Sequence, residues 1–392
     1  MLRLAIVTSH PIQYQAPFFR ALAQSVDLEV FFCHQQTAAG QAAAGFGVEF
    51  EWDVPLLDGY QYSFLKNRSS VPDVSTFGGC DTPEIADRLA AGRFDACMVS
   101  GWYLKSYLQS IRAARRLGIG LLCRGDSQLA TRRSRLWQGV KYWPYRWLLG
   151  AIDAHLYVGA ANRQYLQHYG VSSESLFFAP HFVDNQFFSQ RADAARVAGR
   201  RDVLRHEWGF TRDTTVFAFA GKLIGKKRPA DLILALAESR ARGADAVGLI
   251  IGSGALESHL RQLAVHLSVP VAFVGFRNQS ELPGYLVAAD ALVLPSDAGE
   301  TWGLVVNEAM ACGVPAIVSD ACGCSHDLIA EGETGYRFPS GDVSALASQM
   351  STMVGSLSGS RARLQASIAA TIARYSCDAA VAGTMTALSA VH

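Results

Sequence analysis

Short apolar runs alternate with helical patterns along most of the chain. Apolar runs rich in β-branched residues stand at Leu2–Thr8, Leu28–Cys33, Ala96–Ser100, Gly120–Cys123, His155–Val158 and Leu176–Ala179. Between them, apolar residues recur at helical spacing over Gln15–Gln24, Thr82–Ala91, Lys105–Leu117 and Ala160–His168. Near-continuous apolar strands separated by amphipathic helices predict a parallel sheet with both faces covered. A polar, Arg- and Ala-rich stretch from about Asp184 to Thr214 interrupts the alternation. It suits a linker with some helix at Val203–Trp208. The pattern then restarts with strands at Thr215–Ala220, Val247–Ile251, Val271–Val274, Ala291–Leu294 and Ala316–Val318. Helices are expected between them at Ala230–Arg242, Leu256–Leu267 and Leu282–Ala288. Phe46–Leu65 is rich in aromatic and β-type residues and reads as an antiparallel insert or an extra strand pair.

The fold class that follows is α/β, two doubly wound Rossmann-like domains facing across a cleft. The divisions are residues 1–185 for the first domain, 186–213 for the linker and 214–364 for the second domain. Residues 365–392 are then available to pack back on the first. In such folds ligands lie beyond the carboxyl ends of the strands, so strand-end loops carry the candidate chemistry.

Composition removes several classes. Of 392 residues, half are hydrophobic and 18% are charged, which is a globular balance. A formal net charge of +1 gives no general footprint for nucleic acid. No run of about 18 apolar residues predicts a membrane span. The apolar start, Leu2–Thr8, is too short for a signal-peptide core. Eight scattered cysteines without a secretion signal read as reduced thiols, and the expected location is the cytoplasm. Cys322-Gly323-Cys324-Ser325-His326 has no second ligand pair placed to complete a tetrahedral metal site, so it reads as a glycine-bearing loop.

The densest candidate chemistry lies between Pro295 and Pro315. Glu300 sits in a short loop after a strand, and Glu308 in the first turns of a helix that begins after Gly303. A helix amino terminus offers backbone N–H groups, here near Gly303, Leu304 and Val305, to an anion. The two carboxylates face the same crevice. A nucleotide sugar needs this combination of N–H donors for its pyrophosphate and carboxylates for its hydroxyls.

The whole string closely resembles the Glu-x7-Glu signature of retaining family 4 glycosyltransferases of the GT-B fold, with its Gly-Leu-x-x-x-Glu-Ala-Met-Ala-x-Gly-x-Pro continuation. The resemblance covers nearly all of the second half. Gly221-Lys222-Leu223-Ile224-Gly225-Lys226-Lys227 stands where that family has Gly-Arg-Leu-x-x-x-Lys. It implies that Lys222 and Lys227 grip the donor diphosphate, with Lys222 in place of an arginine, which gives up bidentate forking. Gly252-Ser253-Gly254 matches the glycine turn facing the diphosphate. Val274-Gly275-Phe276 matches the loop that holds the base, and Arg277 stands beside it. The resemblance implies Glu308 on the ribose, Glu300 on the donor sugar, and retention of anomeric configuration. No cofactor is implied beyond the nucleoside-diphosphate sugar, and no Asp-x-Asp stands at a strand end to demand a metal.

The first half departs from the general family pattern. Its Ser9-His10-Pro11-Ile12-Gln13-Tyr14 resembles a bacterial subgroup that begins with His-Pro-x-Gln-Tyr, which aims His10 and Gln13 into the cleft. Arg124-Gly125-Asp126 occupies the strand end where the family carries a histidine, so Arg124 and Asp126 are candidates for its role. Gly101-Trp102-Tyr103 ends another strand and is a candidate for the acceptor side. From Lys105 to Arg146 ten basic residues face one acid, Asp126, with Trp137, Tyr142, Trp143, Tyr145 and Trp147 interleaved. Arg132, Arg133 and Arg135 are among the ten. Two readings stay open for this run. One is a solvated basic helix face. The other is a seat for an anionic membrane surface or a lipid-diphosphate acceptor. The expected function is transfer of a sugar to a glycan, lipid-linked or small-molecule acceptor in bacterial polysaccharide or glycoconjugate synthesis. A GT-B epimerase, a phosphorylase and a non-catalytic sugar-nucleotide binding module are the alternatives.

Overall fold

The computed structural model describes residues 1–130 and 135–392. Arg132 and Arg133 of the basic run lie outside the described residues, as do the side chains of Arg135 and Trp137. Two parallel sheets form. The first holds β1 (Arg3–Thr8), β2 (Asp27–Phe32), β3 (Gln61–Phe64), β4 (Ala96–Val99), β5 (Gly120–Gly125), β6 (Ala154–Tyr157) and β7 (Leu176–Phe178), in the order β3-β2-β1-β4-β5-β6-β7. The second holds β8 (Thr215–Ala220), β9 (Ala246–Ile251), β10 (Val271–Gly275), β11 (Ala291–Leu294), β12 (Ala316–Ser319) and β13 (Gly335–Phe338), in the order β10-β9-β8-β11-β12-β13. The order reverses between β1 and β4 in one sheet and between β8 and β11 in the other. Those two switch points place the loops after β1, β4, β8 and β11 at the ligand crevice.

Alternation along each strand serves two cores. In β8, Phe217 and Phe219 pack with the helix Pro229–Ala241, whereas Val216, Ala218 and Ala220 face the opposite layer. Each fully buried phenylalanine contributes roughly 1.5–3 kcal/mol by leaving water. In β1, Leu4 and Ile6 meet Phe18, Phe19 and Leu22, while Ala5 and Val7 face Leu104 and Tyr107.

Three segments differ from the sequence expectations. Phe46–Leu65 holds one strand, β3, paired parallel with β2 through Val30↔Tyr62, and no antiparallel pair. The long connection from β2 permits a crossover, and the exposed Gln61 and Tyr62 suit an edge. The stretch after Asp184 is mostly helix, over Asn185–Val197 and Arg200–Glu207. Its alanines and arginines are strong helix formers. These helices bury Phe188, Ala192 and Leu204 in the second-domain core. Arg205, fully buried, ties them to the sheet: it donates to Ala288 O at 2.8 Å and Thr214 O at 3.0 Å and pairs with Asp290 at 2.6 Å. Finally, β13 extends the second sheet where no strand was expected. Its sequence Gly-Tyr-Arg-Phe is short and mixed, and a Cβ on Gly335 would meet Ala316 O at 1.9 Å.

A 32-residue helix, Val343–Arg374, bends at Ser360 along the second domain. The helix Cys377–Val391 then returns to the first domain and buries Ala380, Ala387 and Leu388 beside Leu4 and Phe18. A Cβ on Gly383 would stand 1.8 Å from Phe178 O, so this crossing needs glycine. No helix among the described residues is long and apolar enough to cross a membrane.

Candidate active site

The loops at the two switch points enclose a cavity of about 500 Å³. The lysines and glutamates of its second-domain wall come from two loops locked together. After β8, Gly221 adopts φ +145°, the buried Leu223 anchors the turn, and a single 3-10 turn, Gly225–Lys227, follows. After β11, Glu300 precedes Gly303, whose left-handed φ of +103° starts the helix Leu304–Ala311. Asp297 N donates to Lys226 O at 2.9 Å, and the Lys227 ammonium makes an ion pair with the Glu300 carboxylate. Lys222, Lys227, Glu300, Leu304, Val305 and Glu308 all line the cavity. Sites 80 residues apart in sequence therefore become one basic and acidic surface.

Glu308 accepts from Gln279 Nε2 at 3.3 Å. Burial pushes its carboxyl up from 4.5 to about 7, opposed by that hydrogen bond and by Lys227. Burial likewise lowers the Lys222 ammonium, helped by Lys226 and Lys227. Lys222 Nζ sits over the Phe46 ring, 4.4 Å from its centre. The two glycines of the turn after β9 divide their work. Gly252, at φ +139°, lines the cavity, and a Cβ there would stand 1.9 Å from Gly221 O. Gly254 packs on the Leu223 backbone outside the cavity wall.

The base loop also divides. Phe276 and Arg277 line the cavity, but Val274 does not: its carbonyl accepts from Arg277 Nη2 at 2.8 Å. The Arg277 guanidinium lies over Tyr285, 4.6 Å from the ring centre, and reaches Glu281 at 3.3 Å.

The first-domain wall contains Gln13, Tyr14, Asp126 and His181. Asp126 Oδ2 accepts from Thr301 Oγ1 at 2.6 Å and lies 3.8 Å from His181 Nε2. Burial alone would raise the Asp126 carboxyl, but the His181 imidazole and the Thr301 hydroxyl outweigh it and hold it at about 2. Burial lowers His181, which keeps the imidazole neutral at pH 7 against the pull of Asp126. The His181 ring packs on Trp302, and Asn307 Nδ2 donates to its carbonyl at 3.3 Å. Gln128 Nε2 donates across the cleft to Glu300 O at 3.0 Å.

Four candidates of the first half, Arg124, His10, Trp102 and Tyr103, do not line the cavity. Arg124 turns from the cavity, donates from Nη2 to Pro180 O at 2.8 Å and lies over Phe18. It braces the loop that carries His181. Residue 124 belongs to the inward pleat of β5, which feeds the core layer and not the strand-end mouth. His10 is not among the lining residues; its Nδ1 lies 3.0 Å from Ser9 Oγ, and burial, then His34 and Lys222, lower it to about 4. Trp102 is buried against Tyr165, and Tyr103 donates to Val74 O at 3.0 Å, so neither lines the cavity.

Sequence reasoning missed His181, Gln279 and Thr301. His181 follows the carboxyl end of β7, a position that could have marked it. The Cys322–Cys324 loop supports the site from below: Gly323 N donates to Glu300 O at 3.2 Å and Cys324 N to Trp302 O at 3.1 Å. A Cβ on Gly323 would meet Thr301 O at 1.8 Å.

Solved structures share this fold over the whole chain. The crystal structure of Anabaena Alr3699/HepE in complex with UDP superposes with a TM-score of 0.74 at 17% identity, covering 99% of this chain and 100% of that one. WaaG, a glycosyltransferase involved in lipopolysaccharide biosynthesis, gives 0.63 at 16% identity over 99% of both chains. The fold is GT-B. Residues 200–365 match the family model described as Glycosyl transferases group 1. A GDP-mannose-dependent monoacylated alpha-(1-6)-phosphatidylinositol monomannoside mannosyltransferase of Corynebacterium glutamicum is 36% identical over 129 residues, 31% of this chain and 34% of that protein. N-acetyl-alpha-D-glucosaminyl L-malate synthase of Bacillus anthracis is 32% identical over 158 residues, 39% of this chain and 40% of that protein. The chain spans less than half the length of the curated relatives it matches.

Proposed function

We propose that this chain is a retaining glycosyltransferase that moves a sugar from a nucleoside-diphosphate sugar to a glycan or lipid-linked acceptor. One observation carries the reading: Glu300 and Glu308 meet Lys222 and Lys227 in a single cavity at the strand carboxyl ends. The difficult step is departure of a diphosphate as the glycosidic bond breaks. Preorganised positive charge where negative charge develops is the usual large contribution. Lys222, Lys227 and the first-turn amides of Leu304 and Val305 supply it. Ionised Glu308 takes the ribose hydroxyls, and Glu300, held by Lys227, takes the hydroxyls of the donor sugar. Asp126 and His181 lie across the cavity and orient the acceptor hydroxyl on the face that the diphosphate leaves, which retains configuration. Because lysines neutralise the diphosphate, turnover persists in EDTA.

The acceptor side suits a membrane surface. On the helix Arg135–Gly150, Trp143 and Trp147 are 71% and 78% exposed, four residues apart on one face, near Lys141 and Arg146. Exposed tryptophans among basic residues seat a helix at an anionic interface. The setting is bacterial polysaccharide or glycoconjugate synthesis at the inner face of the membrane.

Calorimetry with GDP, UDP, ADP and TDP tests the donor class, and GDP leads the panel because relatives are named GDP-mannose-dependent. Transfer is then assayed with the matching sugar nucleotide, with and without an acceptor panel, and the product anomer is read by NMR. Absence of binding to all four nucleotides overturns the reading. Turnover without acceptor points to an epimerase, and an inverted product removes retention.

A further inference from the structure

Segment 46–53 leaves the first domain and lies against the strand-end loops of the second. Neither the lysine pair nor the carboxylates account for it. Ser253 Oγ donates to Phe46 O, and Asn278 Nδ2 donates to Glu51 O at 2.7 Å. The Ser280 amide and hydroxyl both donate to the Asp53 carboxylate, the amide at 3.2 Å. Phe50 lies on Phe276 with ring centres 4.1 Å apart and planes 33° from parallel. Phe46 and Trp52 meet Phe276 at 5.5 and 6.4 Å. The hydrogen-bonding and ring-stacking partners sit in the glycine turn after β9 or the loop after β10. Four hydrogen bonds and a ring stack thus fix a first-domain segment to two loops that border the cavity.

Phe46 and Trp52 also open onto the cavity beside Phe276. Three aromatic side chains from two domains there form a wall whose natural complement is a flat π-system. A saturated sugar offers no such face. The wall stands next to Lys222, whose ammonium rests on Phe46, so the flat group must be joined to an anion. A base linked through ribose to a diphosphate meets both demands. The main-chain hydrogen bonds hold the rings in place before any ligand arrives, which lowers the entropic cost of stacking.

We infer that segment 46–53 is the first-domain half of the nucleotide-base site, with Phe46 and Trp52 facing the base and Asp53 clamping the wall to Ser280. The inference rests on the nucleotide-sugar reading above. It makes base recognition a two-domain event, so that entry of donor and release of nucleotide require the Asp53–Ser280 clamp to part.

The test uses the full chain and whichever of the four nucleoside diphosphates binds it, together with the corresponding nucleoside. Trp52→Ala is expected to weaken both ligands by the same factor, about tenfold or more, the size of a lost base–aromatic stack. Asp53→Ala is expected to weaken both several-fold. Lys227→Ala, the reference, weakens the diphosphate far more than the nucleoside. Unchanged affinity for both ligands in folded Trp52→Ala and Asp53→Ala overturns the inference and leaves the donor reading standing. If Trp52→Ala does not fold, Asp53→Ala decides alone, because its exposed side chain tolerates the change. A wild-type chain that binds none of the nucleotides overturns the donor reading itself.

Discussion

The lysines and glutamates of the second-domain wall come from two short stretches, 221–227 and 300–308, whereas the first-domain wall gathers Gln13, Tyr14, Asp126 and His181 from the ends of three strands. On the function proposed above, the contrast follows from what each wall would hold. A diphosphate needs cations and N–H donors within a few ångströms of one another. One basic loop and one helix amino terminus supply all of them from nearly contiguous chain. An acceptor hydroxyl needs single polar groups at exact angles, and any strand end can provide one. Local sequence therefore carries the first kind of site and scatters the second.

If that division holds, the two walls fail differently when altered. The largest effect is expected for Glu300→Gln. It removes the partner of Lys227 and the contact to the donor sugar, and turnover should fall by ~10²–10³-fold, about 2.7–4 kcal/mol, a loss typical of one preorganised electrostatic contact. Steady-state kinetics on the folded variant measures it, and a loss under threefold would detach Glu300 from the reaction.

Asp126→Asn sharpens the other side. Nucleotide affinity should stay within ~1 kcal/mol, the scale of one ordinary hydrogen bond, while turnover drops at least ~10-fold, or ~1.4 kcal/mol. Calorimetry beside kinetics separates the two. An affinity loss as large as the rate loss would mean that the first-domain wall serves the donor.

Glu308 gives a pH signature confined to the second domain. Its carboxyl, held up at about 7 by burial, must lose its proton to accept ribose hydroxyls. The carboxylate-dependent part of nucleotide affinity should then fall about tenfold between pH 8 and pH 6. Glu308→Gln should remove that part, leaving only the titration of the ligand phosphate. The same shift bears on stability. A raised carboxyl stabilises the fold fully below its ordinary 4.5, and that contribution is gone above about 7. Thermal melts of wild type should decline from pH 5 to pH 8 relative to the glutamine variant.

The smallest effect belongs to the rim of the first domain. Trp143→Ala with Trp147→Ala should reduce sedimentation with phosphatidylglycerol-containing vesicles several-fold and leave nucleotide affinity unchanged. Equal sedimentation with the phosphatidylglycerol-containing vesicles before and after mutation would remove the membrane reading.

The sequence was legible where one physical cause dominated. All eleven expected strands lie within two residues of those observed at both ends, because buried parallel strands leave unbroken apolar runs. Leu2–Thr8 and Thr215–Ala220 are examples. Gly335–Phe338 was not legible, since its register depends on a close backbone approach that leaves no hydrophobic run. The helix Asn185–Val197 was hidden by polar composition, although Phe188 and Ala192 meet the core at helical spacing, whereas the helix expected at Val203–Trp208 overlaps Arg200–Glu207. In the site, Lys222, Lys227, Glu300 and Glu308 stood in motifs. His181 and Gln279 matter through partners distant in sequence, Asp126 and Glu308; only the place of His181 just beyond the end of β7 marks it locally. Arg124 shows the converse error: its place at a strand end was right, but the pleat turned its side chain to Pro180 and Phe18.

The returning helix Cys377–Val391 has a consequence for biosynthesis. Domains made on the ribosome commonly fold as their own residues emerge, the amino-terminal one first. Here Ala380, Ala387 and Leu388 complete the apolar layer beneath β1 and β6. The amino-terminal domain therefore waits with that layer uncovered while the whole carboxyl-terminal domain is translated and folds. Chains truncated after Tyr375 should present a protease-resistant second domain beside a first domain that chaperones still recognise.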